Sequence, residues 1–240
     1  MVNSEGPLNG SELIVTIHEK IHAYYSGMAG AHHRYRSWEH CFQYFRSSTP
    51  QAIAIDRDHA ALQLGFYLAS WGMYRGSSFL LQHAYTAHLS AIDQIVAPQF
   101  AALWDQEFGA HEDFELMTII DSVIDGIKAS YAPLGSATDT LVTKVLLGTF
   151  GCLPACDRYF IGGFKAAGFR YSQLNSKFVE SIHQFCRDNL LELREEQARI
   201  RRIGGIRYPL MKLVDMFFWQ IGFERGSTAI ADGAESASNS

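Results

Sequence analysis

Cysteine and proline are scarce in this chain, with four and six residues among 240. Four cysteines (Cys41, Cys152, Cys156, Cys186) spread over that length do not make a disulfide scaffold, and a chain able to bury a large core needs none. Charge is also modest, at 19% of residues and a formal net of −5, which argues against a protein that coats nucleic acid indiscriminately. No apolar run reaches the roughly 18 residues of a membrane span, because Arg, His, Asp or Glu interrupts each one. The opening MVNSEGPLNG has neither a basic nor an apolar region of the kind that directs export. These absences lead to the expectation of a reduced, cytoplasmic protein with no membrane association. With 48% hydrophobic residues, a disordered or collagen-like chain is excluded.

Sustained strand-like alternation is missing as well, and helical spacing takes its place. Leu13, Ile14, Ile17, Ile21 and Tyr24 fall on one stripe, as do Phe79, Leu80, His83, Ala87, Ile92 and Val96. The spacing predicts helices over 12–25, 31–46, 56–71, 78–96, 99–108, 111–130, 139–147, 155–167, 173–203 and 209–222. Ser77 or Ser78 and Ser172 suit helix starts, Pro98 and Pro209 suit first turns, and Gly148, Gly168 and Gly226 suit stops. The expected fold is all-α: a single helical domain over 11–225 in two lobes, 11–130 and 131–225. The small, polar stretch 226–240 reads as a disordered tail. No repeat at solenoid periods is present.

The mean charge hides a dipole. Residues 140–212 hold twelve Lys or Arg against six acids, a formal +6, so the remainder carries −11. Residues 99–125 supply seven of those acids and no Lys or Arg. Such a division is either the footprint of a polyanion on one face or a solvated helix surface around Arg194–Arg202.

The segment most informative about chemistry is DTLVTKVLLGTFGCLPACDRYFIGGFKAAG, 139–168. A helix carrying Lys144 is expected to stop at Gly148, a loop follows, and Pro154 is expected to open a helix whose first turn holds Asp157. A carboxylate there meets unpaired N–H groups and the positive end of the macrodipole, which anchor its negative charge. A fixed anion is what stabilises a developing sugar cation. The run Pro154-Ala155-Cys156-Asp157-Arg158-Tyr159-Phe160 resembles the helix start of the helix-hairpin-helix DNA glycosylases. That resemblance implies that Asp157 stabilises an oxocarbenium-like deoxyribose and orients water, and that Lys144 stands where bifunctional members carry a Schiff-base lysine. The plain alternatives are an ordinary first-turn acid and a surface lysine.

The stretch 132–137, Ala-Pro-Leu-Gly-Ser-Ala, departs from the family's Leu-Pro-Gly-Val-Gly hairpin by having one glycine, so a phosphate clasp of backbone amides is not assured. No four-cysteine cluster is present near the C-terminus, which excludes the iron–sulfur branch, and no cofactor is expected. A glycosylase must also hold an extruded base against aromatic faces. Trp71, Tyr74, Arg75 and Ser77, in a glycine-containing turn, are candidates for that contact, with Arg158 and Tyr159 beside Asp157. The alternative for Trp71 is an ordinary core position. His32-His33-Arg34-Tyr35-Arg36 either touches phosphate or lies idle on the surface. Within the family, the helical plan, the 71–78 turn and the 153–160 run are similar to bacterial antiphage glycosylases. Their activity implies release of a modified pyrimidine, glucosylated hydroxymethylcytosine, from viral DNA. DNA is then the partner, and no obligatory protein partner is evident.

His18-Glu19-Lys20-Ile21-His22 is an HExxH string, which on a helix puts two histidines on one face for zinc with the glutamate as general base. The continuation Ala23-Tyr24-Tyr25-Ser26-Gly27 lacks the metzincin offsets, and no strand precedes the helix. A His-rich bundle adding His33, His40, His83 or His88 is the other form of this metal alternative. A non-enzymatic helical interaction module is the third reading.

Overall fold

The computed structural model describes the backbone of residues 10–28, 30 and 32–238, and the side chains of 17–28, 30 and 32–227. It is all-α, with no strand among the described residues. The helices are α1 (Gly10–Ser26), α2 (Arg36–Ser47), α3 (Pro50–Ile55), α4 (Arg57–Ser70), α5 (Leu89–Ile95), α6 (Phe114–Tyr131), α7 (Asp139–Thr149), α8 (Arg158–Ala166), α9 (Ser176–Asp188), α10 (Leu190–Gly204) and α11 (Leu210–Ser238). Three short 3-10 helices, Phe79–Gln82, Tyr85–His88 and Pro98–Leu103, lie on either side of α5. The expected tail at 226–240 falls mostly on side chains outside the described residues.

Local chemistry explains most boundaries. Thr49, Asp113, Thr138 and Asn175 each accept a first-turn N–H at the start of α3, α6, α7 and α9, satisfying a donor that the helix leaves open. Asn175, not Ser172, caps α9. The expected helix over 78–96 divides instead, because His83 and Ala84 are extended and break the ladder between two 3-10 turns. Apolar spacing does not distinguish a 3-10 turn from an α-turn over four residues. Likewise 173–203 splits into α9 and α10 at Asn189, whose amide donates to the Phe185 carbonyl. Gly148 lies inside α7; the chain turns at Gly151, with φ of 67°. There a Cβ would meet Pro209 and Phe42.

Helix α11 is the centre of the packing, contacting α1, α8, α9 and α10. Its closest neighbour is α8, and glycine sets that approach. A Cβ at Gly163 would lie 1.8 Å from the Phe218 carbonyl oxygen, and one at Gly222 would lie 1.9 Å from the Tyr159 oxygen. The two backbones therefore touch, which holds the first turn of α8 against the α11 backbone near Gly222 and its middle against Phe218. On the other side α2, α4 and α7 pack together, with the Tyr67 ring against Gly148. Phe160, Phe164, Phe178, Phe185, Phe217 and Phe218 form an aromatic cluster beneath α8.

Candidate functional site

The segment between α7 and α8 is pinned residue by residue. Its amides at Ala155 and Cys156 donate to the Asp215 carboxylate (3.0 Å) and to the Thr143 hydroxyl (2.9 Å). The Thr140 hydroxyl donates to the Cys156 carbonyl at 2.7 Å. Residues 150–156 are all buried, so their polar groups need such partners. The next residue is Asp157, the N-cap of α8 rather than a residue of its first turn. Its Oδ1 accepts from the amides of Tyr159 (3.0 Å) and Phe160 (3.1 Å). Its Oδ2 stands 3.8 Å from the Lys144 ammonium, and the side chain keeps 16% of its surface open.

Lys144 is not a surface lysine. Its side chain is 4% exposed, its Nζ donates to the Trp71 carbonyl at 3.0 Å, and the ammonium lies 5.5 Å from the Trp71 ring centre. Burial lowers its pKa, which Asp157 and Asp215 partly oppose. Directly behind is a second lysine–aspartate pair. Lys212 and Asp215, one turn apart in α11, meet at 2.7 Å and are 2% and 3% exposed. The Lys212 ammonium also donates to the Tyr24 hydroxyl at 3.1 Å and lies near the rings of Tyr24, Trp38 and Trp71. Burial raises the Asp215 pKa, against the pull of Lys212.

Aromatic rings cover these charges. Trp71 stacks with Tyr35 at 4.6 Å, Tyr35 with Tyr24 at 5.6 Å, and Trp219 stands edge-on to both tyrosines. Tyr159 stands edge-on to Trp219 and carries the Arg158 guanidinium 4.4 Å from its ring centre. Arg34 lies over Tyr35, and the Arg75 guanidinium lies against Gly72 beside Trp71. Arg34, Arg75 and Arg158 are exposed, and none forms an ion pair among the described residues.

No protein-family model matches this chain, and comparison with curated proteins and with solved structures returns no match. The geometry alone describes the site. Of the residues singled out in the sequence, Trp71, Lys144, Asp157 and Tyr159 come together, with Arg75 and Arg158 at the edge. Tyr74 turns elsewhere, bonding His88 at 2.7 Å, while the other ring nitrogen of His88 bonds Tyr131 at 2.7 Å. Burial lowers the His88 pKa to about 4. Ser77 is exposed, with no described contact to the cluster.

Of the two readings of the basic stretch, ion pairing favours the solvated surface in part: Glu107 accepts from Arg194, Arg207, Gln197 and the amide of Leu210, and Glu196 binds Arg199. Of the exposed arginines near Asp157, Arg158 belongs to that stretch, and Arg34 and Arg75 lie outside it. The HExxH string dissolves in the same way: His18 pairs with Glu195 (3.3 Å) and Glu196 (3.0 Å), while Glu19 and His22 face solvent. Among the described residues no group of three His, Cys, Asp or Glu side chains is placed to hold a metal ion. His33 lies against Tyr35, and His88 is enclosed by tyrosines.

Sequence reasoning passed over Lys212, Asp215 and Trp219 as site residues, and read Tyr24 only as part of an apolar stripe and Tyr35 only within the 32–36 run. A signal was present for the first two: opposite charges at i and i+3 inside the otherwise apolar run Leu210-Met-Lys-Leu-Val-Asp-Met-Phe-Phe-Trp219.

Proposed function

We propose that the chain is a DNA glycosylase that hydrolyses the N-glycosidic bond of a modified base. The resemblance of its helical plan, its 71–78 turn and its 153–160 run, taken together, to bacterial antiphage glycosylases implies glucosylated hydroxymethylcytosine in phage DNA as the substrate, and defence as the outcome, since an abasic site blocks viral replication. The observation that carries this reading is the division of labour within Asp157. One oxygen is spent on two helix amides, which fix the carboxylate, and the other is left beside Lys144 with access to solvent.

In this mechanism the C1′–N bond breaks with its electron pair moving to the base, and the fixed negative charge of Asp157 stabilises the cationic sugar. Water then bonds to C1′, its proton passing to the carboxylate and on to the departing base. Lys144 is a positioning residue: its ammonium ties the Trp71 carbonyl to the Asp157 carboxylate. Arg34, Arg75 and Arg158, exposed beside Asp157 and its covering rings, supply phosphate contacts.

Incubating the protein with plain and glucosylated phage DNA, followed by an abasic-site assay, tests the reading. Abasic sites are expected in the glucosylated DNA, and Asp157→Asn should lower their rate by about 100-fold or more while leaving the helical content intact. An active Asp157→Asn enzyme would remove Asp157 from the chemistry. Borohydride should trap no covalent DNA adduct with the wild type; an adduct lost in Lys144→Met would make Lys144 a nucleophile and the enzyme bifunctional.

A further inference from the structure

Among the rings beside Asp157, Tyr35 differs from its neighbours. Tyr24 is buried and tied by its hydroxyl to Lys212, and Trp71 is tied by its carbonyl to Lys144. Tyr35 is half-buried, precedes the first turn of α2, and is not held by a side-chain bond to the charged quartet. Its ring rests nearly parallel to two others, at 19° to Trp71 and 18° to Tyr24, with Trp219 edge-on at 81°. That is the environment of a stacked planar ligand. The indole N–H of Trp219, the ring edge-on to Tyr35, is buried and has no acceptor among the described residues. A buried donor without a partner is costly, and the face of a phenol ring offers it at most a weak acceptor. A pyrimidine, with ring nitrogens and exocyclic oxygens on its edge, offers acceptors.

We propose that this niche is the receptor for the extruded pyrimidine base, that Tyr35 fills it in the free protein, and that its ring swings out as the base enters. The choice of ligand rests on the glycosylase reading; the niche itself rests on the rings and the one orphan donor of Trp219. Rotation of Tyr35 about its side-chain bonds vacates the stack while α2 and the buried pairs stay in place. A base on Trp71 would lie next to the Lys144–Asp157 pair, because the Lys144 ammonium is 5.5 Å from the Trp71 ring centre.

A single-stranded oligonucleotide carrying one 5-iodouracil tests the niche, since irradiation joins that ring to an aromatic side chain stacked on it. Mass mapping should place the adduct on Trp71 or Tyr24. The yield should rise several-fold in Tyr35→Ala, which empties the stack, and fall in Tyr35→Trp, which fills it more fully. Adducts confined to Tyr35, equal yields in all three proteins, or no adduct at all would overturn the proposal. The abasic-site assay separates the two readings. Base release from glucosylated DNA without adducts on Trp71 or Tyr24 defeats the niche alone, whereas those adducts without base release leave a base-binding niche and defeat the glycosylase.

Discussion

Two charged clusters in this molecule look alike on paper and differ in three dimensions. Around α1 and α10, His18, Glu195, Glu196 and Arg199 form a chain of polar contacts at the surface, with Glu195 59% exposed and Glu196 enclosed between His18 and Arg199. Around α7, α8 and α11, Lys144, Asp157, Lys212 and Asp215 form two pairs, three of whose four side chains are almost fully enclosed. The first contains one residue of the HExxH string, His18, and the second an unremarked Lys-x-x-Asp. Membership of a known motif says little about energetic weight, and removal from water says a good deal. Exposed pairs are screened and lose side-chain entropy, so they contribute little. Enclosed charges are costly alone, so each depends on its partner.

The sharpest way to break this contrast is to orphan a buried charge. Lys212→Met leaves Asp215 without its ammonium partner, and should cost about 3–5 kcal/mol in urea unfolding; Lys212→Met with Asp215→Leu should recover part of that. A loss below about 1 kcal/mol would mean that water reaches the pair.

Acid is the next largest probe. Burial lowers both His88 and His183 to about 4, so between there and their ordinary pKa near 6.5 the unfolded chain binds the protons. Their contribution is therefore complete above about pH 6.5 and fades as the pH falls toward 4, on the order of 3 kcal/mol per histidine. Urea midpoints measured at pH 7 and pH 5 check this, and His88→Gln should flatten the slope. A midpoint independent of pH over that window would show that neither ring is enclosed.

Gly163→Ala follows, at about 1–3 kcal/mol, because its methyl group would collide with the Phe218 carbonyl and separate α8 from α11. Thermal unfolding reads the loss, and Gly162→Ala one residue away, with nothing closer than 4.0 Å, is the control. The smallest effect belongs to the exposed cluster: Glu195→Gln should change stability by about 0–1 kcal/mol. A larger loss there would erase the distinction between the two clusters.

The sequence made one of these clusters legible and left the other unread. Asp157 was visible because a carboxylate after Pro-Ala-Cys and before an amphipathic run has a local reason to sit at a helix start, and capping is a local event. Helix positions such as α4, α6 and α7 were visible because their periodicity lies within the segment, whereas α10 merged with α9 because the break at Asn189 leaves the apolar spacing uninterrupted. Lys144 read equally well as a surface lysine, because its burial depends on Trp71, 73 residues away. Tyr35 looked like part of a surface run, and only the assembled fold sets it against Trp71 and Tyr24. Division of the 78–96 stripe escaped because apolar spacing records which face is covered, and not how tightly the turn is wound.

The crossing of α8 and α11 at Gly163 and Gly222 has a corollary. With main chain resting on main chain, the offset between the helix start capped by Asp157 and the turn bearing Lys212 and Asp215 is set without help from any side chain at the crossing. Any side chain added at either of the two small residues would part the helices, and with them the carboxylates.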